Sequence, residues 1–178
     1  MQSVRGANVL VTGAAMGLGK LFAGNAVKEG AAAVVLWDAN AAALEETAAE
    51  LEAAGGTIRY DVVDVTSRER VAEAAERVRN DVGTIHVLFN NAGIVRGNGY
   101  FWENDPHDFL LTVEVNSIGP MLVAREFLPA MIASGRPCRL VNVASSAGLN
   151  AIPRMAAYAA SKWAAIGFSD SVRLELEQ

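Results

Sequence analysis

A single cysteine, Cys138, stands among the 178 residues, so the chain has no internal disulfide and no metal site built on several cysteines. A reducing compartment, the cytoplasm, is the expected location. Only 5 prolines accompany 16 glycines, and 52% hydrophobic against 20% charged residues is far from the polar profile of disordered chains. The sequence should fold. No apolar run approaches the roughly 18 residues needed to span a bilayer, and the first apolar strand begins almost at Met1, leaving no room for a signal peptide. A membrane span is not expected. Basic residues are in deficit, 15 Lys plus Arg against 20 Asp plus Glu, and the formal net charge of -5 opposes binding to a phosphate backbone. Nucleic acid is not an expected partner.

What is present points to one α/β domain over residues 1–178, a length that fits the roughly 100 to 200 residues of a single domain. Five short apolar runs, Asn8 to Val11, Ala33 to Trp37, Ile58 to Val62, Ile85 to Phe89 and Leu140 to Val143, alternate with segments of helical periodicity. Runs that are apolar almost throughout suit parallel strands covered on both faces, so a doubly wound parallel sheet is expected. The first helix should start near Gly17 and stop before Gly30. The second should follow Asn40 and stop at Gly55-Gly56. Thr66 or Ser67 can cap a third helix over Glu69 to Val82. Asp105 and Pro106 open a long helix toward Ser134 that Pro120 is expected to kink, and a last helix holds Tyr158 through Glu177.

Several of these elements carry chemistry. Gly13, Met16, Gly17, Leu18 and Gly19 belong to a turn that follows the first strand and opens the first helix, where backbone N–H groups and the positive dipole end favour a phosphate. A tight strand-to-helix turn alone would also explain the glycines. Asp38, 25 residues after Gly13 and at the end of the second strand, is placed to accept from ribose hydroxyls and to repel a 2′-phosphate, which favours NAD over NADP. A capping or surface acid is the plainer alternative. Asn90, Asn91, Ala92 and Gly93 end the fourth strand at the carboxyl edge of the expected sheet, where open α/β folds bind ligands, although a turn would also use them. Asn116 is unfavourable inside a helix, so it either faces solvent or has a specific hydrogen-bonding task. Tyr158 and Lys162, four apart, share a helix face, and Ser145 lies just past the fifth strand. A tyrosine near its ordinary pKa of about 10 is a poor base at neutral pH, but an adjacent ammonium favours the phenolate. Tyr, Lys and Ser can together move a proton on and off an alcohol oxygen, while the spacing by itself also fits an ordinary helix.

In order and spacing, Thr12 to Gly19, Asn90 to Gly93, Asn116, Ser145 and the run Tyr158-Ala-Ala-Ser-Lys162 resemble the short-chain dehydrogenase/reductase family of the classical type. The resemblance covers essentially the whole chain. Val35-Leu36-Trp37-Asp38, Leu44-Glu45-Glu46-Thr47, Phe127-Leu128-Pro129-Ala130-Met131 and Val143-Ala144-Ser145 are similar to its retinol and 17β-hydroxysteroid dehydrogenase branch. It implies a Rossmann-type fold and an NAD-dependent enzyme that interconverts an alcohol and its carbonyl. Tyr158 would be the acid/base, Lys162 would tune it and hold the nicotinamide ribose, Ser145 would hold the reacting oxygen, and Asn116 would seat a relay water. The same resemblance places Asp64 and Val65 at the adenine, and Asn90, Ala92 and Gly93 beside the cofactor ribose.

The family normally continues past the catalytic helix with further strands and a segment that closes over substrate, so the sequence reads as truncated at its C-terminus. Leu140 to Val143 would then be an apolar edge strand. A nucleotide-binding or regulatory protein without turnover is the alternative to the enzyme. Two apolar helices, one with Val113, Met121, Val123, Ala124, Phe127 and Leu128 and the other with Ala159, Ala160, Ala164, Ala165 and Ile166, either pack inward or pair with a second copy. The resemblance implies the pairing, giving a homodimer, and a tetramer in a full-length form.

Overall fold

Residues 3–177 are described by the computed structural model. Five strands, β1 (Asn8–Thr12), β2 (Ala33–Asp38), β3 (Ile58–Val62), β4 (Val87–Asn90) and β5 (Arg139–Asn142), form one sheet in the order β3-β2-β1-β4-β5. Every pairing is parallel, with Val9 opposite both Val34 and Val87. The chain leaves β1 toward β2 and β3, then returns to the other side of β1 through β4. That reversal opens a crevice at the carboxyl ends of β1 and β4, the usual ligand position in such sheets.

Alternation along β1 explains the layers. Val9 and Val11 pack with Ala23, Ala26, Leu44 and Leu51, which belong to α1 (Gly17–Lys28) and α2 (Ala41–Ala53). Leu10 points to the other face, into a core with Trp37, Val71, Val78 and Phe127. The helices there are α3 (Arg68–Asp81) and α5 (Gly119–Ala133). With both faces covered, the inner strands β1, β2 and β4 are apolar at nearly every position, whereas the edge strands β3 and β5 depart from that expectation: Arg59, Tyr60 and Val62 on β3 and Arg139 on β5 are exposed. At the opposite, amino-terminal edge, His86 Nδ1 accepts the Asn8 N–H at 3.0 Å and ties β1 to the start of β4.

The structure refines several boundaries. Ser67, not Thr66, caps α3 by accepting the Arg70 N–H, while Thr66 bonds to Asp64. The last helix, α6, begins at Ala156 and runs to Leu176. The expected kink at Pro120 takes another form. Between α4 (Pro106–Val113) and α5 the backbone widens into a π turn over Glu114–Ile118, ahead of the proline. Pro120 has no N–H to return to the carbonyl four residues earlier, that of Asn116, so the ladder changes register upstream of the proline itself. Of the two apolar helix sets, Val123, Ala124, Phe127, Ala159 and Ala165 are core. Large apolar side chains left exposed on this stretch of chain and on α6 include Leu110, Ile118, Ile132, Trp163, Leu174 and Leu176. Among the described residues, no helix is long and apolar enough to cross a membrane.

Candidate functional site

A groove of about 610 Å³ opens at the carboxyl ends of the strands. One end is the turn from β1 to α1. Its three glycines have different tasks. A Cβ at Gly13 would lie 2.8 Å from the Ala92 Cα, and one at Gly19 would collide with the Gly13 carbonyl oxygen, so both are needed for close packing. Gly17 meets nothing within 4 Å but has a φ of +55°, a conformation that side chains disfavour. Met16 stands at the N-cap of α1 without a side-chain capping bond. No N-cap side chain therefore satisfies the first-turn N–H groups, beside a groove that Gly13, Met16, Gly17 and Leu18 line.

Asp38 lines the same groove from the end of β2. Its two carboxylate oxygens accept the N–H groups of Ala15 at 3.0 Å and Asn40 at 2.9 Å, which fixes the charge beside the glycine turn. Asp64 and Val65 form part of the wall. Asp64 turns its carboxylate to its own loop, accepting from the Thr66 N–H and hydroxyl at 2.9 and 2.8 Å.

After β4 the residues divide. Ala92 and Gly93 line the groove, whereas Asn90 is buried beneath it, donating to the Pro120 carbonyl at 3.0 Å and to Asn142 Oδ1 at 2.9 Å. Asn91, part of the same amide-rich strand end but given no role of its own from the sequence, is the groove-facing neighbour. Its amide donates to the carbonyls of Thr12 and Gly13, and the Thr12 hydroxyl accepts the N–H groups of Asn91 and Ala92. Strand alternation was the available signal: if Asn90 points into the sheet, Asn91 points elsewhere.

The far end of the groove belongs to α6. Tyr158 and Lys162 both line it, with Lys162 Nζ 5.8 Å from the tyrosine ring centroid. Lys162 is 5% exposed, and its ammonium donates to the Val143 carbonyl at 2.9 Å. Burial pushes its pKa below the ordinary lysine value, because the charged form loses hydration. Ser145 follows the groove-lining Val143 and Ala144 and caps a short 3-10 turn, its Oγ accepting the Ala147 N–H at 3.2 Å. Asn116, on the π turn, is 1% exposed and lies behind the wall. Its Oδ1 accepts the Ile94 N–H at 2.8 Å, and its Nδ2 donates to the Ile94 carbonyl at 2.9 Å and to Ser161 Oγ at 3.0 Å. Of the two readings open for Asn116, the hydrogen-bonding one describes its surroundings. Ser161 carried no signal of its own in the sequence, since a serine on a helix usually faces water.

The groove fits a dinucleotide on its own chemistry: a glycine cradle that Cβ atoms would fill, helix N–H groups without a side-chain cap, and an anchored carboxylate at the end of β2.

Known proteins are similar to this chain in sequence and in fold. Estradiol 17-beta-dehydrogenase 11 of Pongo abelii is 39% identical over 175 residues, 98% of this chain and 57% of that protein. Human epidermal retinol dehydrogenase 2 is 40% identical over 177 residues, 98% of this chain and 56% of that protein. The chain thus spans less than two thirds of the length of these curated relatives. A short chain dehydrogenase/reductase from Burkholderia phymatum, solved in complex with NAD, matches with a TM-score of 0.95 at 33% identity, covering 99% of this chain and 62% of that one. A metagenomic short-chain oxidoreductase in complex with NADP matches with a TM-score of 0.92 at 35% identity, covering 99% and 79%. The family model described as short chain dehydrogenase matches residues 7–178. With a family match from just before β1 to the end of α6, and relatives of this kind, the chain belongs to the short-chain dehydrogenases, on the side of the retinol and 17β-hydroxysteroid dehydrogenases.

Proposed function

We propose that this chain carries the cofactor-binding and proton-handling part of an NAD-dependent dehydrogenase acting on a lipophilic alcohol or its carbonyl. One observation carries the reading: Tyr158 and Lys162 open onto the same groove as Asp38 and the glycine turn. Proton chemistry and nucleotide chemistry therefore meet in one space.

Each residue has a task that follows from its chemistry. The N–H groups at the start of α1 bind the pyrophosphate, and Asp38 accepts from the adenosine ribose hydroxyls and repels a 2′-phosphate, so NAD is preferred to NADP. Asp64 and Val65 flank the adenine, and Ala92 and Gly93 leave room for the ribose. When bound, the nicotinamide supplies the hydride acceptor or donor. Tyr158 takes the hydroxyl proton during oxidation and returns it during reduction. The Lys162 ammonium favours the phenolate and binds the nicotinamide ribose. Ser145 donates its hydroxyl hydrogen to the reacting oxygen, and Asn116 supplies the place for a relay water. Ile94, Val95, Leu111 and Val115 make the adjoining wall mostly apolar, with Arg96 the one charged side chain among them, which supports a lipophilic substrate. Leu110, Ile118 and Trp163 are exposed on the helices that would face a second copy, which supports a homodimer.

Titration with NAD and NADP, followed by reduced-nicotinamide absorbance over steroid, retinoid, aliphatic and sugar alcohols, tests the proposal. NAD binding with turnover of apolar alcohols is expected. Tight NAD binding with no turnover on any alcohol would favour a nucleotide-binding protein instead, and absence of binding to either cofactor would refute both.

A further inference from the structure

Resting on that reading, we infer that Ser161 is a positioning residue: its hydroxyl locks the Asn116 amide, and through it the Ile94 stretch of the cofactor groove, to the helix that carries Tyr158 and Lys162.

Ser161 is 1% exposed and immediately precedes Lys162. Its hydroxyl donates to the Tyr158 carbonyl at 2.7 Å, a common back-bond for a helical serine. The proton being committed there, the oxygen's lone pairs remain, and one receives Asn116 Nδ2 at 3.0 Å. The other Nδ2 hydrogen goes to the Ile94 carbonyl, and Oδ1 takes the Ile94 N–H. All three bonds are made in only one orientation of the amide. Reversed, the carboxamide would set oxygen against oxygen at Ile94 and lose Ser161. Ile94 lines the groove beside Gly93, where an added Cβ would come within 3.2 Å of Asn116 Oδ1 and 3.6 Å of Lys162 Nζ. Groove wall, π turn and α6 therefore meet at one hydroxyl. Ser117 Oγ donates to the Ser161 carbonyl at 3.1 Å and ties the same two elements without touching the amide. That neighbour makes an internal control.

Ser161→Thr and Ser161→Val add nearly the same bulk and differ in the hydroxyl, so their comparison isolates the bond from the packing. Amide hydrogen exchange at Ile94, followed by NMR in the chain without cofactor, is the first readout. Losing one neutral hydrogen bond should speed Ile94 exchange about tenfold in Ser161→Val relative to Ser161→Thr, with Ser117→Ala close to wild type at that amide. The NAD dissociation constant is the second: it should rise by about the same factor in Ser161→Val and recover in Ser161→Thr. Equal Ile94 exchange in the Thr and Val variants would overturn the lock, as would Ser117→Ala matching Ser161→Val. Faster Ile94 exchange in Ser161→Val from a wild-type chain that binds no NAD would keep the lock and refute the proposed function instead. Failure of Ser161→Val to fold while Ser161→Thr folds with wild-type exchange at Ile94 supports the hydroxyl's role.

Discussion

Replacing Lys162 with Met should make the protein more stable and less able to bind cofactor. Lys162 is 5% exposed, no carboxylate lies within ion-pairing distance of it among the described residues, and its ammonium has one hydrogen bond, to the Val143 carbonyl. Desolvating such a charge costs several kcal/mol. One charge-assisted hydrogen bond returns only about 1.5 to 3 kcal/mol. Methionine keeps most of the aliphatic stem without the charge, and the Val143 carbonyl, which borders the groove, can bond to water instead. A net gain of about 1 to 3 kcal/mol follows, or roughly 2 to 10 °C in Tm for a chain of this length. The pH dependence has a definite sign. Because the folded-state pKa of Lys162 is depressed, the unfolded chain binds more protons between that value and the ordinary lysine value, so wild-type stability rises with pH through that window. The advantage of Lys162→Met should therefore be full at lower pH and shrink toward pH 10. Thermal melting of both proteins from pH 6 to 10, with NAD titration at neutral pH, checks it. A Lys162→Met protein that melts below wild type at neutral pH would refute the claim that this charge is held at a cost for function.

Asp38→Ala should bring the NAD and NADP dissociation constants together, since it removes both the hydroxyl acceptor and the charge that repels a phosphate; equal preference before and after the change would dismiss Asp38 as the selector. Gly19→Ala should destabilise the protein by about 1 to 3 kcal/mol, measured by urea denaturation, although alanine is the better helix former, because the new methyl meets the Gly13 carbonyl oxygen. His86 is buried, and burial first and Arg136 second lower its pKa from the ordinary 6.5. Its contribution is present above pH 6.5 and is lost as pH falls through the depressed folded value, so the denaturation midpoint should drop between pH 7 and 5 and drop less in His86→Gln. Sedimentation of the chain at micromolar concentration should show a dimer that Trp163→Glu dissociates.

The inner strands were legible because a parallel strand buried on both faces is apolar at nearly every position, and the turn at Gly13 to Gly19 because its backbone demands are local. The place of Asp38 at the end of β2 was legible for the same reason. Contacts made across long stretches of chain were not. Asn90 and Asn91 are adjacent letters, yet one is buried beneath the groove and the other stitches it to Thr12, 79 residues away. Asn116 stood out as an unfavourable helix residue, but its partners, Ile94 and Ser161, lie 22 and 45 positions off. The π turn was hidden because a proline disturbs the carbonyl four residues before it, which moved the effect of Pro120 onto Asn116.

If Tyr158 moves the substrate proton, its hydroxyl matters to hydride transfer and not to NAD affinity. Parallel measurement of NAD affinity and reduced-nicotinamide formation in wild type and Tyr158→Phe tests it most directly. Affinity within a few fold of wild type, with turnover lowered by about 10² to 10⁴, is the predicted result. Turnover by Tyr158→Phe equal to that of wild type would contradict it.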